Sequence, residues 1–580
     1  MSARFEPVRR LAIAFCMIGL SAIAGEATQG QSPSDEFNRK AAQFFTKEYT
    51  FHPWREEDHI VDGEDWSLPP WVKASRYSGI QNVEKKVPET FPGRHQHAVT
   101  ITWREIEPEE GHFDFADAKR RILEASQGGK FSVKIGLQAS VWETRYFRSL
   151  DDRTIVRVTP GSAPVWIRDY GVPLIEERPN ASAPFQVVNC DIYHPEYHRR
   201  YLKAVAAFGR SGIPQMPEVD ICYVHLKSAS RGEEGAGPPP GDPNRPLFEE
   251  RLRAWADAFR GVEYKLCLVS HHEEDLALAI KLGMGQRNGF VEHYMLHAPN
   301  PGLGQLVDDD GYLVVDENHP LIAENRASGD ENEEYRNEVR FGPIETFPHR
   351  YHESMLRVLQ MRRNFLWAEG GPWLVNPPLL HYVALELGKT VDTAPDAWCY
   401  LRESYVRDRR PETKGKPRAI KNFERWLFQR DAPGAVAEAC EKVSVPEQMF
   451  EFHRDHLYDY TARRTNIEDG QREIRFALDD RFLSGGPHRV AVKVTYFDRD
   501  KAVWEVVYHT GTRGDTENVR RMQCGNSGKL RTVTWILDDA WFPAEGYRGC
   551  DLAIRAVEGD AVVRMVRVIK LNPLACESHP

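Results

Sequence analysis

The sequence predicts an α/β chain: a (β/α)8 barrel followed by an all-β antiparallel sandwich. Three observations carry that expectation. From about residue 70 to 430, short β-like runs alternate with amphipathic helical stretches, the order that builds a parallel sheet. Eight such runs can be read off, the number that closes a barrel. From about residue 470 the pattern changes to short, alternating, β-branched runs separated by Gly, Asp and Asn, as in antiparallel sandwiches.

At the amino terminus, Arg4, Arg9 and Arg10 precede the apolar run LAIAFCMIGLSAIAG, and Ala22-Ile23-Ala24 supplies small residues for cleavage. This charged, apolar, small-residue order is that of a secretory signal peptide over residues 1–24. The run is too short for a comfortable membrane span, and no stretch of about 18 apolar residues recurs. The expected product is therefore a secreted or periplasmic protein, free of the membrane once the signal is removed. Residues 25–69 form a polar extension, 70–430 the barrel, 431–469 a charged linker with Pro433 and Pro446, and 470–573 the sandwich.

The eight barrel strands are expected at SRYSGI (75–80), HAVTITW (97–103), FSVKIGLQA (131–139), VDICYVHL (219–226), YKLCLVSH (264–271), GFVEHYML (289–296), PLIAEN (320–325) and NFLWAEG (364–370). Between them PEYHRRYLKAVAAFG (195–209) and LFEERLRAWADAFR (247–260) carry the apolar spacing of amphipathic helices. The sandwich strands are REIRFALDD, HRVAVKVTYFD, AVWEVVYHT, RTVTWILDD, CDLAIRAVE and AVVRMVRVIKL.

Composition narrows the function. Hydrophobic content of 41% and charged content of 28% are those of a folded globular chain. A net charge of −10 offers no basic face for nucleic acid. The cysteines at 190, 222, 267, 399, 440, 524, 550 and 576 form no C-x-x-C pair, so no zinc ribbon or redox motif is expected. Export permits disulfides, and Cys524 with Cys550 is the first pairing to expect. His271-His272-Glu273-Glu274 lacks the H-E-x-x-H spacing, and the acidic runs at 308–311 and 330–335 lack an EF-hand pattern, so neither a metal nor a cofactor is expected. There is no G-x-S-x-G elbow and no phosphate-binding loop.

In a (β/α)8 barrel, function gathers at the carboxyl ends of the strands. There the expected strands present Glu233 and Glu234, Glu324 and Asn325, Trp367 and Glu369, Glu292 and Tyr294, and Trp103 and Arg104. Carboxylates and aromatics at several strand ends are what sugar hydrolysis requires: one acid to protonate the leaving oxygen, one carboxylate to attack or stabilise the anomeric carbon. The bland alternatives are a solvated loop for the glutamate pair and core packing for Trp103, Trp142 and Trp166.

ITWREIEPEEGHFDF (101–115) resembles the W…EP.EG.(Y/F)DF stretch after the second strand of β-galactosidase-like clan-A glycoside hydrolases, and PVWIRDYG (164–171) and HPEYHRRYL (194–202) resemble further segments of those enzymes. The resemblance spans roughly residues 70–390. It implies an acid/base glutamate after strand four and a nucleophile ending strand seven, which match Glu233, with Glu234 as its alternative, and Glu324. It also implies that Trp367 floors the sugar subsite; from their expected strand-end positions, Trp103, Arg104, Glu292, Tyr294, Asn325 and Glu369 are the further substrate-binding candidates. One departure stands out: Gly232 occupies the position where most of the clan has the asparagine that binds the sugar 2-hydroxyl.

The expected reaction is retaining hydrolysis of a poly- or oligosaccharide, of β-galactoside type or from a plant or algal glycan. The two carboxyl groups would then stand about 5–5.5 Å apart. The other reading is a non-catalytic carbohydrate-binding or surface-assembly protein on a degenerate barrel, which the missing asparagine favours.

Overall fold

Val219–Val224 is buried along its whole length, as a strand covered on both faces must be, and it pairs in parallel with Leu266–Val269. The structure is a computed structural model that describes residues 50–75, 79–82, 95–148, 153–177, 184–224, 237–270, 273–287, 303–332, 347–368, 376–407, 417–430, 436–438, 459–511, 514–543 and 550–572. The strands up to residue 368 are, in chain order, β1 (His59–Asp62), β2 (Gly79–Asn82), β3 (His95–Thr102), β4 (Ser132–Gln138), β5 (Val141–Phe147), β6 (Ile155–Pro160), β7 (Leu174–Glu177), β8 (Phe185–Cys190), β9 (Val219–Val224), β10 (Leu266–Val269), β11 (Gly285–Arg287), β12 (Gln305–Val307), β13 (Leu313–Val315), β14 (Ser328–Asn332) and β15 (Phe365–Ala368).

Two compact units divide the chain: Val99–Ala125 with Lys134–Leu282, and Gln29–Ala98 with Ser126–Val133 and Gly283–Pro580, as far as these are described. In the first unit, β9 and β10 are followed by amphipathic helices at Arg245–Ala258 and Glu273–Lys281, and Pro195–Arg210 precedes β9. Proline at the first turn of Pro195–Arg210 and of Arg245–Ala258 costs no hydrogen bond there and pre-sets the helical φ. Between β4 and Pro195–Arg210 the chain inserts a four-stranded antiparallel sheet in the order β6, β5, β8, β7. The reading of the sequence contained no such sheet.

The second unit holds a half-barrel arc of parallel strands. β11 pairs with β14, β14 with β15, β15 with β2, and β2 with the first residues of β3, every pair parallel. Leu366 packs into a core with Leu356 and Leu359 of the helix Phe347–Gln360 and Leu379, Leu380 and Val383 of the helix Pro377–Glu386. The Leu366 side of the arc is therefore the helix-covered side, and alternate residues face away from it.

Two of the expected strands sit elsewhere. Pro320–Ala323 is a short helix, not strand seven: Pro320 opens it, the His319 ring accepts from Leu321 N at 3.4 Å, and Glu324 closes it. A short apolar run is ambiguous between helix and strand, and the proline in first position decides for helix. The seventh strand is β14, whose SGDEN sequence carries no apolar alternation to announce it. The sixth is β11, and residues 289–296 lie outside the described residues.

The rest of the second unit is a large antiparallel sheet that takes in all six β runs expected after residue 470. The sheet begins well before that boundary. Asp396–Arg407 pairs with Val562–Lys570 and with Pro417–Arg425, residues the sequence reading gave to the barrel. β1, from the supposed extension, adds to Lys529–Phe542 in the register His59↔Thr534. Buried contacts fasten that segment. Lys493 Nζ reaches Asp65 at 2.6 Å, and Arg567 Nη1 donates to the Asp65 carbonyl at 2.7 Å. Cys524 and Cys550 are both free thiols, which corrects the expected disulfide.

Candidate active site

One register row organises the site. Glu331 of β14 is the partner of Trp367 on β15, Trp367 of Gln81 on β2, and Gln81 of Gln96 on β3. The parallel row beside it runs Asp330, Leu366, Ile80, His95, and it lies on the helix-covered side because Leu366 packs there. Alternation therefore sets the strand positions of this row opposite those of the helix-covered row. On β3 the flanking rings agree, since His95 and His97 both meet Phe131, with centroids 6.4 and 4.2 Å away.

Glu331 and Trp367 are each the last residue but one of their strands, so the row reaches the carboxyl ends, where barrels keep their chemistry. A third row, Gly329 with Phe365 and Gly79, lies one step nearer the strand starts on the same face. A Cβ on Gly329 would meet the Phe365 ring at 2.3 Å, so only glycine lets that ring lie across the strand.

Asp330 faces the other way. It is fully buried, Arg363 Nε stands 2.8 Å from its Oδ2, and burial pushes its carboxyl up to about 7 against the pull of Arg363 and Arg287. Covered by the helix layer, it pins β14 to the turn ahead of β15 rather than meeting a ligand.

The residues expected at the site separate. Glu324 lies four residues ahead of β14, at the end where the parallel strands begin, half exposed and 2.8 Å from Arg326 Nη2. That is the wrong end of the strand for a nucleophile, because the expected strand over 320–325 is a helix. Asn325, with φ of 46°, is part of the same turn and accepts from Asn364 Nδ2 at 3.1 Å. Trp103 is fully buried, edge-on to Tyr197 and Trp166, so it cannot be a sugar platform. Arg104 is spent on the backbone, donating to the carbonyls of Ala163 at 2.6 Å and Trp142 at 2.9 Å, and so is not available to substrate. Trp367 belongs to the row. Glu233, Glu234, Glu292, Tyr294 and Glu369 lie outside the described residues.

The W…E…G stretch has a structural explanation. Glu107 Oε2 accepts from Trp103 Nε1 at 2.6 Å and its Oε1 from Gly111 N at 2.7 Å, closing the turn after β3. Gly111 takes a φ of 82°, which favours glycine. Burial raises the Glu107 carboxyl above its ordinary range, against those two hydrogen bonds. Thr102 caps the short helix Trp103–Ile106, accepting from Glu105 N at 3.2 Å while its hydroxyl donates to Glu105 Oε2 at 3.0 Å.

Downstream of β9 the described chain resumes at Gly237, and Asp275 holds it there. This buried carboxylate accepts from Gly237 N and Ser270 Oγ, both at 2.9 Å, and pairs with Arg245, which also donates to the Pro238 carbonyl at 3.1 Å. Gly237 lies against the Phe248 ring, 2.6 Å from where a Cβ would stand. Among the described residues, no group of three His, Cys, Asp or Glu side chains is disposed to hold a metal ion.

What the sequence reading missed is Glu331. Its signal is the acidic run DENEEY (330–335), which reads as a surface loop because the strand beneath it is so polar.

No family model matches the chain, and no curated protein matches it. Among solved structures it is similar to the catalytic domain of β-amylase from Paenibacillus polymyxa, at 8% identity over 56% of this chain and 99% of that one, with a TM-score of 0.30. It is also similar to a family 39 glycoside hydrolase from Bacteroides cellulosilyticus, at 9% identity over 80% and 82% with a TM-score of 0.28. GH5_18 from Bifidobacterium longum, in complex with Manb1-4GlcNAc, is similar at 9% identity over 53% and 77%, also with a TM-score of 0.28.

Proposed function

We propose that this chain is a retaining glycoside hydrolase on a (β/α)8 barrel, with Glu331 as its nucleophile. One observation carries the reading: a glutamate near the carboxyl end of the seventh parallel strand is the register partner of a tryptophan near the carboxyl end of the eighth. An indole face stacks on the apolar face of a sugar ring, and a carboxylate one strand away stands within reach of that ring's anomeric carbon. The acid/base of this reading is Glu233 or Glu234.

In the first step the Glu331 carboxylate bonds to the anomeric carbon while the acid gives its proton to the departing oxygen. In the second, water attacks that carbon, the same acid/base takes the water's proton, and the Glu331 carboxylate leaves. Before the first step the acid must hold its proton, and the negative charge of a nearby nucleophile raises its pKa for that purpose. Sugar and linkage are proposed no more finely than a poly- or oligosaccharide of plant or algal type.

The test is hydrolysis of a polysaccharide and oligosaccharide panel by the purified chain, with the product anomer followed by NMR. Release of sugar with retained configuration is expected. Absence of hydrolysis across the panel, with glycan binding intact, would replace the enzyme by a binding protein.

A further inference from the structure

Gln96 is enclosed, with 1% of its surface exposed, and among the described residues neither its Oε1 nor its Nε2 has a hydrogen-bond partner. A primary amide offers two donors and two acceptor lone pairs, and burying all of them unpaired is expensive. Leucine or methionine would fill the same volume at no such cost, so the amide needs something to bond. Its neighbours on β3 do not supply it, because His95 and His97 turn to Phe131 on the helix side. Gln96 faces the other way, in the row that contains Glu331, Trp367 and Gln81.

We propose that Gln96 is a ligand-binding residue, whose amide hydrogen-bonds sugar hydroxyls deep in the site that Glu331 and Trp367 open. A carboxamide sets a donor beside an acceptor, and a pair of adjacent ring hydroxyls offers the complement, each able to give and to take a hydrogen bond. A tryptophan recognises the apolar face of a sugar without distinguishing its hydroxyls; an amide in the same row would add that discrimination. A site built to bond a hydroxyl rejects the analogue lacking it, because its own polar atoms are then left unpaired. Gln96 stands near the start of β3 rather than its end, so it reads the part of the sugar that enters deepest. This inference rests on the glycosidase reading, since it names a specificity residue for that site.

The experiment compares wild type with Gln96→Leu and Gln96→Glu on the oligosaccharide that wild type cleaves best. Product affinity is read by inhibition with the released monosaccharide and with its deoxy analogues. Gln96→Leu should lower kcat/KM about tenfold to a hundredfold, chiefly through KM, while leaving the melting temperature unchanged or higher. Wild type should bind one deoxy analogue more weakly than the parent sugar, and Gln96→Leu should bind the two alike. Unchanged kcat/KM and product affinity in Gln96→Leu would overturn the role of Gln96. A lowered melting temperature with wild-type activity would also overturn it, showing an amide that serves the fold through an enclosed water. A wild-type chain that neither cleaves nor binds any glycan overturns the glycosidase reading itself, and the inference with it.

Discussion

Glu331 and Trp367 are register partners on adjacent parallel strands, each one residue from its strand's carboxyl end. Neighbouring strands run about 4.8 Å apart, so the two positions stand at the spacing of a single sugar ring.

Glu331→Gln is expected to abolish turnover, by about a thousandfold or more in kcat, because an amide cannot form the covalent intermediate. Its melting temperature should match wild type. Glu324→Gln is the matched control: it removes the charge of an exposed carboxylate from the buried Arg326, so activity should hold even if stability falls by about 1 kcal/mol. Steady-state kinetics of both variants decide the assignment. Loss of activity in Glu324→Gln with full activity in Glu331→Gln would reverse it.

Gly329→Ala drives a methyl group into the Phe365 ring, at 2.3 Å in the unrelaxed geometry. Overpacking of this kind costs about 1–3 kcal/mol, and the strain falls directly beneath the row of Glu331 and Trp367. A lower denaturation midpoint together with reduced kcat is expected. Wild-type values of both would show that the ring moves aside freely.

Asp275→Ala removes the hydrogen bonds that Asp275 accepts from Gly237 N and Ser270 Oγ, and the buried carboxylate paired with Arg245. Breaking a buried pair in this way costs about 3–5 kcal/mol. Limited proteolysis should cut the variant faster near Gly237, and kcat should fall with it. Equal cleavage rates in the variant and wild type would deny Asp275 its anchoring role.

Glu64 supplies a pH dependence. Burial works to raise its carboxyl, but His352 at 3.0 Å and Arg564 at 3.3 Å overcome that and bring it down to about 2. A carboxylate whose folded-state pKa lies below its ordinary value stabilises the fold in full above about 4.5 and loses that contribution as the pH falls toward 2. Melting temperature should therefore drop across that window, by an amount on the order of 3 kcal/mol in stability, and Glu64→Gln should flatten the drop. A Glu64→Gln profile as steep as wild type would assign the acid sensitivity elsewhere.

Periodicity carried the reading wherever a strand is apolar. β4, β9, β10 and β15 fall within the expected runs, as do both of the expected helices to within two residues. It failed at β14, where Gly329 and the buried pair of Asp330 with Arg363 replace the apolar alternation, and at Pro320–Ala323, where four apolar residues form a helix. The W…E…G stretch was legible as a motif, but its chemistry is that of a closed turn around Glu107.

By itself, the sequence determined which segments become apolar strands and helices, because burial imposes a period of 2.0 or 3.6 on the residues that meet the core. Only the tertiary structure decided which carboxylate-bearing position is the register partner of which tryptophan. Register is a relation between strands far apart in the chain, and a shift of one residue turns every side chain to the other face. That single step separates Asp330, pinned beneath the helices, from Glu331, beside Trp367.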